Sequence, residues 1–248
     1  MDVAYESKYH ELEEQNWWFV SRRDMVFDLI QQLKLDRNAH ILEVGCSGGP
    51  LMLALGKAGY TNLTGIDVSE AGIALARRRG LTRVSVMDGA NLSFADESVD
   101  LLIASDVLEH IEDEGRALRE WTRVLRPGGR IIVFVPAFQM LWSHHDVVNH
   151  HFRRYSAASL QTALRGAGLR VDRTSYWNAA LFFPTALVRL SQRLLGKRQP
   201  DDTQGDLKPL PAPLNQALST LIKTENRLLR RVNYPLGVSV FALAHKPR

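Results

Sequence analysis

A glycine-rich turn that follows a short apolar run is the strongest chemical signal in the sequence. His40–Val44 has the composition of a strand, and the turn Gly45-Cys46-Ser47-Gly48-Gly49 leads into a helical pattern. Glycines lack the Cβ atoms that would keep a ligand away from backbone amides, so this turn can hold a ligand at a helix N-terminus. Glu43 adds a carboxylate, which suits a cationic or amine-bearing ligand and disfavours a pyrophosphate.

Two more carboxylates follow the next two strand-like runs. Asp67 follows the run Leu63–Ile66, where an acid can accept hydrogen bonds from both hydroxyls of a ribose. Asp88 comes after the run Arg83–Met87 and can accept from the exocyclic amine of an adenine. Each has a plain alternative, because Asp67 could cap a helix and Asp-Gly is a common turn pair. With the glycine-rich turn, the two acids predict a nucleoside pocket.

Histidines and arginines cluster after the fifth predicted strand, Ile131–Val135. The cluster consists of Trp142-Ser143-His144-His145-Asp146 and His150-His151-Phe152-Arg153-Arg154-Tyr155. It lies at the carboxyl edge of the predicted sheet, where open α/β sheets bind ligands. No C-x-x-C or H-E-x-x-H spacing accompanies the histidines, so no metal site is predicted. His110, after the fourth strand, is a candidate general base, with helix capping or cofactor contact as the alternative.

Strand-like and helix-like segments alternate, which favours a parallel sheet with helices on both faces. The predicted strands are His40–Val44, Leu63–Ile66, Arg83–Met87, Val99–Ala104, Ile131–Val135, Leu169–Tyr176 and Val238–Ala244. Helices are predicted over about residues 5–35, over Leu51–Lys57, from Ser69 to Arg79, over Glu114–Leu125 and after Ser156. Arg126-Pro127-Gly128-Gly129 is predicted to end the fourth of these helices.

The motifs together resemble the class I S-adenosylmethionine-dependent methyltransferases, over about residues 40–176 and the final strand. Within that class the chain is similar to members associated with bacterial polysaccharide or lipid-linked sugar pathways. The resemblance implies an α/β, Rossmann-like sheet of seven strands, mostly parallel with an antiparallel last strand. It also implies S-adenosyl-L-methionine as the cofactor and S-adenosyl-L-homocysteine as the product. Ser47 departs from the family pattern, since many members have glycine there.

The resemblance further implies roles for individual residues. Those expected to bind the cofactor are Glu43, Gly45, Cys46, Ser47, Gly49, Asp67, Val68, Asp88, Gly89, Ala90 and Ser105. Those expected to bind the acceptor are Trp18, His145, His151, Arg154 and Tyr155, with His110 and His145 as candidate catalytic bases. Arg153 and Arg154 have an alternative as ordinary surface charges.

Trp17-Trp18-Phe19 and Arg22 belong to the predicted N-terminal helix. If this helix closes over the cofactor, Arg22 can pair with the methionine carboxylate, because arginine binds carboxylates through two parallel hydrogen bonds. The alternative is that the aromatic side chains pack in the core. Residues 1–38 are therefore predicted to form a helical lid on a single domain that spans residues 1–248.

Residues 177–235 form a predicted helical insertion before the last strand, with a mobile loop at about 197–213. Its amphipathic segments and their arginines could contact an anionic membrane surface, pack on the sheet or contact a second subunit. Peripheral membrane contact and the choice between monomer and homodimer therefore stay open. The expected acceptor is a hydroxyl of a sugar or lipid-linked glycan. The alternatives are small-molecule O- or N-methylation in secondary metabolism and a cofactor-binding protein without catalysis.

Composition limits the class of protein further. The chain has 248 residues, 45% hydrophobic and 23% charged, which excludes a disordered or low-complexity polymer. Its single cysteine excludes an intrachain disulfide. The net charge of +4 comes with no nucleic-acid-binding motif, so no nucleic-acid partner is predicted. The polar N-terminal stretch has no secretory signal pattern, and the apolar stretch Ala179–Val188 is too short to span a bilayer, so a cytoplasmic protein is expected.

Overall fold

The computed structural model describes residues 12–194 and 209–248. Within them, seven strands form one sheet in the order β3-β2-β1-β4-β5-β7-β6. The strands are β1 (Ile41–Val44), β2 (Leu63–Asp67), β3 (Val84–Val86), β4 (Val99–Ser105), β5 (Leu125–Pro136), β6 (Arg170–Trp177) and β7 (Ser239–His245). Neighbouring strands pair in parallel except β7, which runs antiparallel to β5 and β6. The predicted fold class is confirmed.

Helices cover the two faces of the sheet. They are α1 (Trp17–Gln32), α2 (Pro50–Lys57), α3 (Glu70–Arg78), α4 (Glu114–Val124), α5 (His144–Val148), α6 (Ala157–Gly166), α7 (Phe182–Leu194) and α8 (Ala212–Leu229). Short 3₁₀ turns lie at Leu108–His110 and Gln139–Leu141. Ser69 and Ser156 cap α3 and α6, because their side chains accept hydrogen bonds from backbone amides of the first turn.

The central strand β4 is buried on both faces, which explains its continuous apolar sequence. Leu102 and Ala104 pack in the cluster that contains Trp121 of α4. Leu101 and Ile103 point to the opposite face and pack in the cluster formed with α1 and α8. Burying each of the two leucine side chains and the isoleucine side chain contributes about 1.5–3 kcal/mol, so this strand stabilises the middle of the sheet.

The start of the fifth strand differs most from the sequence prediction. Strand β5 begins at Leu125 rather than Ile131, since Leu125 pairs with Val99 before a register shift in the ladder. Gly128 has φ +79°, which lets the chain bend there without leaving the sheet. The Pro-Gly-Gly segment therefore ends α4, as predicted, and is also part of the strand.

The N-terminal helix and the insertion are packed together. Asp28 of α1 pairs with Arg230 at 2.7 Å, and the Asn226 side chain donates to the Ser21 carbonyl at 2.9 Å. The Trp177 indole donates to Asn226 at 2.8 Å. These contacts make α1 and α8 one wall beside the sheet.

Parts of two predictions lie outside the described residues. Of the predicted N-terminal helix, residues 5–11 are not described, and α1 begins at Trp17 with Asn16 as its N-cap. Of the predicted mobile loop, residues 197–208 are not described. Its end is corrected, because Ala212 and Pro213 already belong to α8.

Candidate active site

A cavity of about 800 Å³ opens at the carboxyl ends of the parallel strands. Each of β1, β2, β4 and β5 contributes a residue from its last positions, namely Val44, Asp67, Ser105 and Pro136. The opposite wall comes from the insertion, including Leu181, Leu210 and Leu218. The sheet edge that the sequence predicted to bind ligands thus carries a cavity.

Most of the predicted site residues line this cavity. They are Trp18, Gly45, Ser47, Asp67, Val68, Asp88, Gly89, Ser105, His110, His145, His151 and Arg154. Six do not, namely Arg22, Glu43, Cys46, Gly49, Ala90 and Tyr155. The contacts of these six residues with the rest of the protein explain why they do not line the cavity.

The glycine-rich turn has the close packing that its sequence predicts. Gly45 has φ +76°, and a Cβ there would lie 2.4 Å from the Val107 side chain. Gly49 has φ +77° and faces Leu81, so it shapes the start of α2 without lining the cavity. Cys46 is buried behind the turn, where its sulfur faces Gly65. Cys46 and Gly49 therefore act through the backbone geometry of the turn.

Backbone amides hold the two acids that line the cavity next to the glycine-rich turn. Asp67 accepts from the Ser47 and Ser69 amides, each at 2.8 Å, with one carboxylate oxygen for each. Asp88 accepts from the Ala90 amide at 2.8 Å, which leaves Ala90 buried beneath the turn. Each carboxylate oxygen has a second lone pair, so both acids can still accept hydrogen bonds from a ligand.

Glu43 lies behind the turn and is only 8% exposed. Its Oε2 accepts no hydrogen bond from the described residues. Burial raises the pKa of this carboxyl well above its usual value, and the neighbouring carboxylates of Glu13 and Asp67 raise it further. A buried acid in negative surroundings favours a positively charged group nearby.

Glu43→Gln is expected to stabilise the ligand-free protein at pH 7. Because the folded-state pKa of Glu43 is raised, its contribution to stability is fully present below the unfolded value near 4.5 and is lost as pH rises. The variant should raise Tm at pH 7 by about 2–4 °C, the shift for roughly 1 kcal/mol in a domain of this size. Thermal unfolding between pH 5 and 8 measures this, with the exposed Glu97→Gln as control. A Tm difference that does not grow with pH would contradict it.

Arg22 is buried inside the protein and does not line the cavity, so its expected contact with the methionine carboxylate stays a prediction. Its guanidinium pairs with Asp106 at 2.7 Å and donates to the Ser239 hydroxyl at 2.7 Å. The same group lies 4.3 Å from the ring centre of Trp177 and 5.2 Å from that of Trp18. Only 4% of Arg22 is exposed. Arg22 therefore holds Asp106 at the end of β4.

Tyr155 also belongs to the core and does not line the cavity, so its expected contact with the acceptor stays a prediction. It is buried in the cluster above β5, and its hydroxyl donates to Glu114 at 2.5 Å. Burial raises the pKa of this phenol, and the hydrogen bond to Glu114 adds to the effect. The hydroxyl is thus hydrogen-bonded to the first residue of α4, away from the cavity lining.

Three imidazoles form one wall of the cavity. The ring centres of His110 and His151 are 4.6 Å apart, and those of His145 and His151 are 6.1 Å apart. Burial lowers the pKa of His110 to about 4, and the nearby His151 lowers it as well. His110 is therefore neutral at pH 7. Glu109, beside it, is buried, and neither carboxylate oxygen has a hydrogen-bond partner among the described residues.

Asp146 is a site residue that the sequence analysis missed. It is fully buried, accepts from His151 Nδ1 at 2.9 Å, and receives Nε and Nη2 of Arg154 at 2.7 and 2.9 Å. Burial alone would raise the pKa of Asp146, but these hydrogen bonds outweigh it and hold the pKa below its usual value. The Ser143-x-x-Asp146 spacing of a capping box was the signal that could have located this turn.

One group of the described residues has donor types that could suit a metal ion. Ligand atoms of Glu109, His110 and His151 lie within 4.8 Å of one another. Three donors without a fourth give an incomplete set for a structural site. We assign no ion to this group, and the sequence-based expectation of no metal stays a prediction.

Comparison with known proteins agrees with this geometry. The chain matches a family model described as a methyltransferase domain over residues 42–133. A protein of Mycolicibacterium smegmatis, named a probable S-adenosylmethionine-dependent methyltransferase, is 32% identical over 189 residues, 73% of this chain and 69% of that one. A ubiquinone biosynthesis O-methyltransferase of Hydrogenovibrio crunogenus is 28% identical over 137 residues, 53% of this chain and 52% of that one.

Solved structures share the architecture. The [4+2]-cyclase SpnF is 25% identical with a TM-score of 0.60, covering 90% of this chain and 80% of that one. A geranyl diphosphate C-methyltransferase from Streptomyces coelicolor, solved with Mg²⁺, geranyl diphosphate and S-adenosyl-L-homocysteine, has a TM-score of 0.57. Its identity is 14%, over 86% of this chain and 74% of that one, so this likeness shows the fold alone.

The sheet order and the cavity at its carboxyl edge define a methyltransferase of the Rossmann-like type. The chain belongs to the class I S-adenosylmethionine-dependent methyltransferases. Its cofactor is S-adenosyl-L-methionine, and it is an enzyme of that class.

Proposed function

We propose that the chain transfers the methyl group of S-adenosyl-L-methionine to a hydroxyl of a sugar or lipid-linked glycan. One observation carries the proposal: Asp67 and Asp88 line the same cavity as three imidazoles and an apolar wall. A polar patch next to an apolar wall suits an acceptor that has both a hydroxyl-bearing part and an apolar part.

The cofactor end of the cavity is assigned to the residues at the ends of β1, β2 and β3. Asp67 would accept from the ribose hydroxyls, and Asp88 from the adenine amine. The Gly45–Ser47 backbone and the nearby Glu43 carboxylate would hold the methionine end. Bound S-adenosyl-L-methionine supplies an electrophilic methyl group, and much of the rate can then come from holding the acceptor oxygen in line with it.

The acceptor end is assigned to the imidazole wall and the insertion. His145, His151 and Arg154 line it, and Leu181 and Leu218 provide the apolar side. Arg189 of α7 adds a cation to the same wall. On α1, Trp17, Trp18 and Phe19 also line the cavity, which supports the view that residues 1–38 act as a lid.

An acceptor panel tests the proposal. The panel consists of octyl glycosides, the corresponding free sugars, octanol and a catechol, with formation of S-adenosyl-L-homocysteine and a mass gain of one methyl group as readouts. We expect octyl glycosides to be methylated faster than free sugars, because the alkyl chain adds contact with the apolar wall. Methylation of the catechol alone would overturn the glycan acceptor in favour of a small-molecule O-methyltransferase, the function named for the ubiquinone biosynthesis relative.

The insertion carries two exposed apolar stripes, which support peripheral contact with a membrane. On α7, four side chains at helical spacing are 70%, 69%, 53% and 78% exposed, namely Phe183, Leu187, Leu190 and Leu194. On α8, Leu214, Leu221 and Leu228 are exposed at intervals of one heptad. Arg227, Arg230 and Arg231 lie close to the second stripe. Apolar side chains with neighbouring cations suit an anionic lipid surface. None of the helices in the two described segments has the length and hydropathy to cross a bilayer.

Leu187→Glu combined with Leu190→Glu is expected to abolish binding to phosphatidylglycerol vesicles. Burying two carboxylates in the lipid interface would cost free energy, and anionic lipid headgroups would also repel them. Vesicle flotation at low and high salt measures this, with Val86→Glu, an exposed apolar position on β3, as the matched control. If the wild type does not float, or if the double variant floats equally well, the membrane contact is contradicted. A dimer lost in the double variant would instead assign the stripe to a subunit contact.

A further inference from the structure

We propose that His151 is the catalytic base for the hydroxyl acceptor and that Asp146, itself held by Arg154, is the residue that positions it. The inference rests on the proposed function, because a proton must leave only if the acceptor is a hydroxyl. In the step, the acceptor oxygen forms a bond to the methyl carbon while the carbon–sulfur bond breaks. The electron pair of the broken carbon–sulfur bond stays on sulfur. The acceptor proton moves to Nε2 of His151 and later to solvent.

The hydrogen bonds around Asp146 determine the tautomer of His151. Both oxygens of Asp146 are bound by Arg154, and Oδ2 also accepts from the Ser143 amide at 2.8 Å. Such a carboxylate is ionised and can only accept hydrogen bonds. His151 Nδ1, 2.9 Å from Oδ1, must therefore carry the hydrogen. The neutral ring then has its lone pair on Nε2, the nitrogen that is free to take a proton.

The position of the ring fits the role. His151 lines the cavity together with Ser105 and Asp106 at the end of β4. Its side chain is 8% exposed, so its orientation is fixed by the surrounding protein. An aspartate that accepts a hydrogen bond from Nδ1 holds a neutral imidazole in the tautomer whose Nε2 can accept a proton from a hydroxyl.

The other two imidazoles are held differently. His110 is a weak base, because its buried ring resists protonation, and the Asn149 backbone is its hydrogen-bond partner. The ring of His145 lies 3.3 Å from the Asn149 side-chain amide. Among the described residues, five charged or titratable groups surround His151. Asp146 and Arg154 lie on its Nδ1 side. Glu109 and His110 approach from the turn after β4, and His145 approaches from α5.

A second aspartate–histidine pair provides a matched control within the same chain. His245 Nδ1 lies 2.8 Å from Asp172 Oδ1. His245 pairs with Arg130 in the middle of β5, whereas the cavity lies at Pro136, the last residue of that strand. This pair has the same residue types and the same hydrogen bond, but neither residue lines the cavity.

Nitrogen NMR of the histidine rings tests the positioning directly and needs no acceptor. The full chain is labelled with ¹⁵N-histidine and saturated with S-adenosyl-L-homocysteine, and His151→Gln assigns the signals of His151. We expect the neutral ring of His151 to carry its hydrogen on Nδ1 and none on Nε2. Asp146→Asn should shift this ring toward the Nε2–H tautomer, whereas Asp172→Asn should change His245 alone. An Nε2–H tautomer in the wild type, or no change in Asp146→Asn, would overturn the assignment.

Turnover on the octyl glycoside that the panel identifies tests the catalytic role. His151→Gln should lower kcat by roughly 10²–10⁴-fold, the usual contribution of a general base, with little change in the KM for the cofactor. His245→Gln should be unaffected. A kcat loss below about threefold, or a loss explained by weaker cofactor binding, would reject His151 as base. If no acceptor is methylated by the wild type, the proposed acceptor class fails, while the NMR result still decides the tautomer.

Discussion

Asp67→Ala is expected to weaken binding of S-adenosyl-L-methionine by about 100-fold or more. The Asp67 carboxylate is proposed to accept from both ribose hydroxyls, and hydrogen bonds to a charged group contribute about 1.5–3 kcal/mol each. Loss of two such bonds therefore corresponds to at least two orders of magnitude in Kd. The substitution also removes the carboxylate that accepts from the Ser47 and Ser69 amides and thereby orders the turn.

Isothermal titration with the cofactor and with its demethylated product measures the effect. Asp96→Ala is the matched control, since Asp96 is an exposed acid in a surface ion pair with Arg123. Tm of each variant is compared first, so that a folding defect is not taken for weak binding. An affinity within about threefold of the wild type in folded Asp67→Ala would remove Asp67 from the ribose site.

Arg22→Ala is expected to destabilise the protein strongly, by about 3 kcal/mol or more. The guanidinium fills space between the rings of Trp18, Trp177 and Phe134, and its removal leaves a cavity there. It also leaves Asp106 and Ser239 without this partner. The shift in Tm should be roughly 6–12 °C for a domain of this size.

Thermal and urea unfolding measure this, with Arg230→Ala as the control. Arg230 pairs with Asp28 at the surface and is half exposed, so its loss should cost less than about 1 kcal/mol. A Tm for Arg22→Ala equal to that of the control would contradict the buried role. The affinity of the folded Arg22→Ala variant for the cofactor then separates two roles of Arg22. The sequence suggested direct pairing with the methionine carboxylate, whereas the structure shows an ion pair with Asp106.

Local sequence was enough to predict that the glycine-rich turn and two acids share one edge of the sheet. The turn follows β1, Asp67 is the last residue of β2, and Asp88 lies two residues after β3, so the order of strands and helices already places them at that edge. The fold class could be predicted for the same reason, because strand and helix alternate with clear apolar runs. The sequence did not predict the start of β5, because Pro-Gly-Gly is typical of a turn although the strand continues through it with a register shift.

Other predicted site residues depend on long-range partners that spacing alone does not specify. Arg22 is committed to Ser239, 217 residues away in the sequence, and Tyr155 to Glu114, 41 residues away. Asp146 acquires its role only because a turn returns His151 and Arg154 to it. In each case a polar side chain has several possible partners, and tertiary packing selects one.

In the proposed complex, one cavity holds the nucleoside of the cofactor at Asp67 and Asp88 and the acceptor at the imidazole wall. A crystal structure of the full chain with S-adenosyl-L-homocysteine tests it most directly. We predict the ribose hydroxyls on Asp67, the adenine amine on Asp88, and the sulfur directed toward His151. Electron density for the nucleoside elsewhere, or a sulfur facing away from the three histidines, would contradict this claim.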